Sequence, residues 1–187
     1  TSDQISNLST AQISALSSLQ IQSLTTAQLN AMSADQIASV SASGVSALTT
    51  TQITGLTAAI DLLAGLSTTQ IPALSTANIA ILTGTQLNAL STTQINSLSA
   101  TQAKALTGSQ LTALTTENVG ALSTTAIANL STTAISTVSS TQLQNLTTAQ
   151  LQGLSSLAIR TLTTAQLNAL STTQTSSFTT NQIAALT

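Results

Sequence analysis

An octapeptide repeats along almost the whole of this chain, and that period limits the possible folds more than any other feature of the sequence. Units begin at Thr1 and follow every eight residues, except that the unit over 57–66 has ten residues. The chain therefore comprises 22 octads and one ten-residue unit, with Thr187 left over. We interpret residues 1–187 as one continuous repeat array, and we expect it to be a segment of a longer one.

Each position of the octad tolerates a different set of residues. Position 1 is Ser or Thr in every unit, position 4 is Gln in 16 of the 23 units, and position 8 is always apolar. Position 5 is mostly Ile or Leu, whereas position 6 accepts Pro72, Lys104 and Arg160. We therefore predict that positions 5 and 8 form the core and that position 6 faces solvent. Because position 4 is never Glu, we predict a partly buried amide that uses both its donor and its acceptor.

The spacing of the two apolar positions favours a series of short helices. Positions 5 and 8 lie three residues apart, as they would on one face of a helical turn. In a continuous helix, however, eight residues rotate by about 800°, so the apolar pair would drift by about 80° per octad and form no stripe. The helix must therefore break once in every octad.

The residues at positions 1 and 4 supply a helix start at the required place. Ser or Thr followed three residues later by Gln is a capping box, in which each side chain bonds to the backbone N–H of the other residue. Asp3, Asp35 and Glu117 all occupy position 3, inside the first turn, where the helix dipole favours an anion. Helices this short are unstable alone and must stack on neighbours. The sequence thus predicts an all-α solenoid of very short capped helices, one per octad.

The alternative fold is a β-solenoid with stacked ladders of Thr, Gln, Ile and Leu. Pro72 favours this alternative, because it would lie inside a short helix. Against it, the seven Gly residues are not periodic as β-corners would require, and Ala, Leu and Gln are good helix formers. We therefore favour helices. For the ten-residue unit over 57–66, which lacks the Gln, we predict a local kink or a longer helix.

The composition argues against catalysis. The chain has no His, Cys or Tyr and only six charged side chains, so it lacks the convergent titratable groups of an active site. We predict no enzyme activity, no catalytic residues, no metal or cofactor site and no small-molecule substrate. A net charge of −2 cannot attract nucleic acid. A Ser or Thr in every octad interrupts the roughly 18 apolar residues that a membrane span needs, so we predict no membrane insertion.

Octads such as residues 91–98, Ser-Thr-Thr-Gln-Ile-Asn-Ser-Leu, resemble the TTAQIxAL-type repeats of long, low-complexity bacterial surface and secreted proteins. The resemblance extends over the whole chain. It implies an exported protein, extracellular or at the cell surface, that forms a filament, fibre or stalk. Since neither end has a polar capping unit, we also expect association with copies of itself. The alternative is an adhesin or ice-binding module that presents a repetitive Ser/Thr surface.

Overall fold

The computed structural model describes residues 1–56 and 63–186, and this part of the chain contains short helices and no strand. The predicted all-α fold with one capped helix per octad is confirmed, and the β-solenoid alternative is wrong. The predicted kink or longer helix in the 57–66 unit lies largely outside the described residues. The α-helices are Ser2–Ser6, Thr10–Ser14, Ser18–Ser23, Thr26–Asn30, Ala34–Ser39, Ala42–Ser46, Thr50–Gly55, Thr76–Ile81, Gly84–Asn88, Thr92–Asn96, Ala100–Ala105, Gly108–Ala113, Thr116–Ala121, Thr124–Asn129, Thr132–Ile135, Ser140–Gln144, Thr148–Gly153, Ser156–Arg160, Thr164–Ala169, Thr172–Ser176 and Thr180–Ala185.

The predicted capping box starts these helices. In the octad over 49–56, the backbone N–H of Thr49 donates to Oε1 of Gln52 at 2.8 Å, and the backbone N–H of Gln52 donates to Oγ1 of Thr49 at 3.1 Å. The same pair of bonds closes every octad that has Gln at position 4. These bonds satisfy backbone donors that the first turn of a helix leaves without a partner. Asp3, Asp35 and Glu117 lie in first turns, as predicted.

The end of each octad turns the chain without a left-handed residue. The N–H of Leu82, for example, donates to the carbonyl of Ile79 at 3.2 Å, which tightens the last turn. Leu82 and the next residue, Thr83, are both extended, with ψ angles of 136° and 160°. No described residue has a positive φ. Two extended residues, at position 8 and at the following position 1, therefore form the corner between successive helices.

Pro72 changes the helix of its octad without removing the cap. The octad over 67–74 contains a 3-10 helix, Ile71–Ala73, where the other octads have an α-helix. Because proline has no N–H, Pro72 cannot donate the α-helical bond to the carbonyl four residues earlier. The N–H of Ser67 nevertheless donates to Oε1 of Gln70 at 2.6 Å. The expectation that Pro72 disfavours an α-helix is thus correct for its own octad. It does not apply to the fold of the other octads.

The described chain forms two compact units, Thr1–Gln94 and Ile95–Thr187. Within each unit, a helix packs against the helix three octads further along the chain. In the first unit Ser18–Ser23 packs against Ala42–Ser46, and in the second Ala100–Ala105 packs against Thr124–Asn129. Each unit is therefore a coil of helices, as solenoid packing predicts. That the array continues through the boundary between the units stays a prediction.

The core lies where the octad pattern places it. Leu90, Leu98 and Leu106, all at position 8, are only 3%, 3% and 2% exposed. At position 6 of the same octads, Asn96 and Lys104 are exposed and Asn88 is half-buried. Burial of about two aliphatic side chains per octad is the main stabilising contribution to the coil. The assignment of positions 5 and 8 to the core is confirmed.

Candidate functional site

The described residues hold no group of acidic or metal-binding side chains that could ligate a metal ion. None of the described helices has the length and apolarity needed to cross a membrane. The recurring feature is a set of hydrogen bonds between successive turns of the coil. These bonds are formed by the Gln side chain at position 4.

Gln52 shows how one amide joins two turns. Its Oε1 atom accepts the capping bond from the N–H of Thr49, as described above. Its Nε2 atom donates to the carbonyls of Ile21 at 2.9 Å, Gln22 at 3.2 Å and Leu24 at 2.8 Å. These carbonyls lie at the end of a helix four octads earlier, where a helix leaves its acceptors without intrahelical partners. One side chain, only 4% exposed, thus satisfies the start of one helix and the end of another.

The same arrangement recurs in both units and forms what we call the glutamine ladder. In every rung Nε2 donates to backbone carbonyls 28 to 33 residues earlier in the chain, and the Gln is buried. The rungs are Gln36, Gln52, Gln70 and Gln94 in the first unit, and Gln142, Gln150, Gln166, Gln174 and Gln182 in the second.

The ladder explains why position 4 excludes Glu. A carboxylate could still accept the capping bond, but it has no proton to donate to the carbonyls of the earlier turn. It would also place a negative charge against carbonyl oxygens in a buried site, which is costly. The prediction that the position-4 amide uses both its donor and its acceptor is confirmed for the rungs of the ladder. The sequence does not indicate which carbonyls accept, since their octad looks like all the others.

A second set of bonds connects octads that are closer in sequence. Nδ2 of Asn96 donates to the carbonyl of Ala121 at 3.0 Å, and Nε2 of Gln144 donates to that of Ala169 at 2.7 Å. Each of these bonds runs from position 6 to position 7 of the octad three units later. Because the ladder spans four octads and these bonds span three, one turn of the coil takes between three and four octads. The sequence had indicated only that position 6 faces solvent, so this role was missed.

Asn78 is a rung with a shorter side chain. Its Nδ2 atom donates to the carbonyl of Leu48 at 2.8 Å, so the bond to the earlier turn is kept. Its Oδ1 atom is buried and accepts no hydrogen bond from the described residues. Asparagine is one methylene shorter than glutamine and cannot reach back to the N–H of Ser75. The octad keeps only the bond from the N–H of Asn78 to the hydroxyl of Ser75, at 3.1 Å.

Shallow grooves lined by hydroxyls lie where octad corners of successive turns meet. In the second unit, one groove of about 590 Å³ is lined by Thr147, Thr148, Ser171 and Thr173 among others. The first unit has an equivalent groove, lined by Ser67, Thr68, Ser91 and Thr93 among others. Neither groove contains a charged or aromatic side chain. They offer hydrogen bonds but no general base or nucleophile with a partner base.

Capped helices that coil and are joined by a repeating amide ladder define a helical repeat protein. The family model for the ALTTAQ repeat matches this chain over residues 61–92, 146–180 and 158–187. The second and third of these matches overlap, and together the three support a protein of tandem repeats. A comparison with curated proteins gives no match.

Proposed function

We propose that this chain is a non-catalytic structural protein that forms the shaft of an extracellular filament, fibre or stalk, with a length set by the number of octads. The glutamine ladder is the observation that carries the proposal. The octad over 33–40, for example, donates through Gln36 to the preceding turn and accepts from Gln70 through the carbonyls of Ile37, Ala38 and Val40. An added octad with Gln at position 4 can therefore extend the coil with the same bonds, which is the property a length-setting element needs.

The distribution of charge supports a structural role. Lys104 is exposed, and Asp3, Asp35 and Glu117 lie in the first turns of separate helices. Such acids stabilise helix starts, so their placement has a sufficient structural reason. We accordingly propose no enzyme activity, and no nucleic-acid, membrane or small-molecule partner. The proposed location outside the cell rests on the resemblance of the octads to those of bacterial surface and secreted proteins.

An adhesin is the second candidate. The hydroxyl-lined grooves that recur in both units favour it, because they would present the same hydrogen-bonding surface many times along the chain. The ice-binding form of this candidate has less support, since it needs a flat surface of strands and the described residues form helices.

The shaft can be tested by lengthening the chain within its second unit. A copy of residues 139–170, which is four octads, is inserted after Leu170, in one variant once and in another twice. We expect the maximum dimension from small-angle X-ray scattering to rise by the same increment each time, with an unchanged cross-section. A matched control carries Gly-Ser inserts of equal length. Inserts that enlarge the particle in all directions, or that behave like the Gly-Ser control, would contradict the proposal.

A further inference from the structure

The octad over 75–82 contains a buried amide oxygen and a backbone N–H that no described residue satisfies. Asn78 is only 1% exposed, and its Oδ1 atom accepts no hydrogen bond from the described residues. The N–H of Ser75 donates to none of them either, whereas the equivalent N–H of Ser67 donates to Oε1 of Gln70 at 2.6 Å. A buried polar group without a partner is costly, so a ligand that binds both groups would stabilise the octad.

Two hydrogen bonds determine where that oxygen lies. Nδ2 of Asn78 donates to the carbonyl of Leu48 at 2.8 Å, and the N–H of Asn78 donates to the hydroxyl of Ser75 at 3.1 Å. Rotation of the amide by a half turn would place Oδ1 against the carbonyl of Leu48, where two acceptors repel each other. Oδ1 is therefore held on the side of the amide that faces away from Leu48, as the capping Oε1 is in the glutamine rungs.

The two groups together specify what can bind between them. Oδ1 of Asn78 needs a donor, and the N–H of Ser75 needs an acceptor. A metal cation can bind the oxygen but not the N–H, and an anion can bind the N–H but not the oxygen. A water molecule does both, and a buried water typically binds about two to four polar groups that have no other partner. Because asparagine is only one methylene shorter than glutamine, the ligand must also be small.

We propose that one ordered water molecule binds between the N–H of Ser75 and Oδ1 of Asn78. The water accepts from the N–H and donates to the oxygen, so it completes the capping box that glutamine closes directly in other octads. A bridging water is enthalpically nearly as favourable as a direct hydrogen bond. The octad over 75–82 thus keeps both its cap and its bond to the earlier turn, which explains how a buried position 4 accommodates Asn.

A crystal structure of the full chain at high resolution tests the site directly. We expect a peak of electron density about 2.7–3.2 Å from both the backbone nitrogen of Ser75 and Oδ1 of Asn78, the range for such hydrogen bonds. The matched control is the N–H of Ser67, which is bound to Gln70 and should bind no water. No density between the two atoms, or an ion that contacts only Oδ1, would overturn the proposal.

Two reciprocal substitutions should remove this water and create another. In Asn78→Gln the longer side chain caps the N–H of Ser75 directly, so the density peak should be lost. In Gln52→Asn the side chain should still bind the carbonyl of Leu24 but no longer reach the N–H of Thr49, so a new water should bind there. Circular dichroism checks that both variants keep their helices.

Nuclear magnetic resonance gives a second readout in solution. The amide proton of Ser75 should show a dipolar cross-peak to water in a rotating-frame Overhauser spectrum, and that of Ser67 should not. Ser67 has the same hydroxyl group, so it controls for signals relayed by exchange of that group with water. The cross-peak should disappear in Asn78→Gln and appear at Thr49 in Gln52→Asn. Equal cross-peaks at the two serines of the unchanged chain, or an unchanged cross-peak in folded Asn78→Gln, would overturn the proposal.

Discussion

At the scale of the residue, the glutamine at position 4 has two functions that depend on different atoms. Oε1 caps its own helix, and Nε2 binds the end of a helix one turn earlier. Gln12, which forms only the capping bonds, is exposed, whereas Gln52, which has both functions, is buried. The two functions can therefore be separated by substitutions at equivalent positions.

Replacing Gln52 by Glu should destabilise the protein strongly, because the carbonyls of Ile21, Gln22 and Leu24 lose their donor and face a buried carboxylate. We expect a decrease of about 3 kcal/mol in the free energy of unfolding. The control is Gln12→Glu, which keeps its cap and is exposed, and which should change stability by less than about 0.5 kcal/mol. Urea denaturation of both variants measures the difference. Similar effects at the two positions would show that the bonds from Nε2 of Gln52 contribute little to the free energy of unfolding.

Replacing Asn78 by Gln should stabilise the protein. The longer side chain would let the amide oxygen accept from the N–H of Ser75 while the amide nitrogen still donates to the carbonyl of Leu48. A cap of this kind contributes about 1 kcal/mol, and the buried oxygen gains a partner. Thermal unfolding should show a higher midpoint than the unchanged chain. A lower midpoint would mean that the site around Asn78 has no room for the added methylene.

At the scale of the element, the octad determines where each helix starts and ends but not how tightly it meets its neighbour. Position 2 of one octad and position 7 of the octad three units later approach closely. A Cβ atom on Gly108 would lie 2.8 Å from Cγ2 of Thr137, and one on Gly55 would lie 2.5 Å from Cγ2 of Thr26. A glycine at one position of these pairs therefore accommodates a threonine at the other.

This close approach predicts a coupled pair of substitutions. Gly108→Ala should lower the free energy of unfolding by about 2 kcal/mol, because the new methyl group overlaps Cγ2 of Thr137. Thr137→Ser removes that carbon but keeps the hydroxyl, which donates to the carbonyl of Gly108 at 3.0 Å. The double variant should recover most of the loss, and a double-mutant cycle on denaturant unfolding measures the coupling. Additive effects would mean that the two residues do not determine this helix contact.

At the scale of the whole molecule, the sequence predicted the local structure and not the long-range partners. The capping box, the break after each octad and the core at positions 5 and 8 all follow from residues within one octad. The partner of Gln52 lies about 30 residues away, and no feature of a single octad distinguishes it from the others. The exclusion of Glu at position 4 indicated that a donor was used, yet it could not identify the acceptor. The bond from Asn96 to Ala121 was missed because exposed side chains vary for many reasons.

The ten-residue unit shows that the ladder does not depend on a constant count of residues. Gln70 donates to the carbonyls of Ile37, Ala38 and Val40, which are 33, 32 and 30 residues earlier. The corresponding separations for Gln52 are 31, 30 and 28 residues. The two additional residues of the 57–66 unit therefore leave the same octad positions in contact. The coil must therefore keep position 4 of one octad in contact with positions 5, 6 and 8 of the octad one turn earlier. We call this alignment the phase of the octads.

That requirement predicts opposite outcomes for two insertions in the second unit. A copy of octad 139–146 inserted after Leu146 keeps every position in phase, so the midpoint of thermal unfolding should stay the same or rise. The residues Gly-Ser-Gly-Ser inserted between Gln150 and Leu151 separate a cap and its ladder rung from the core residue of the same helix. The lost core packing and amide bonds should cost on the order of 3 kcal/mol. If the complete octad were as destabilising as the shorter insert, the phase of the octads would not be what maintains the coil.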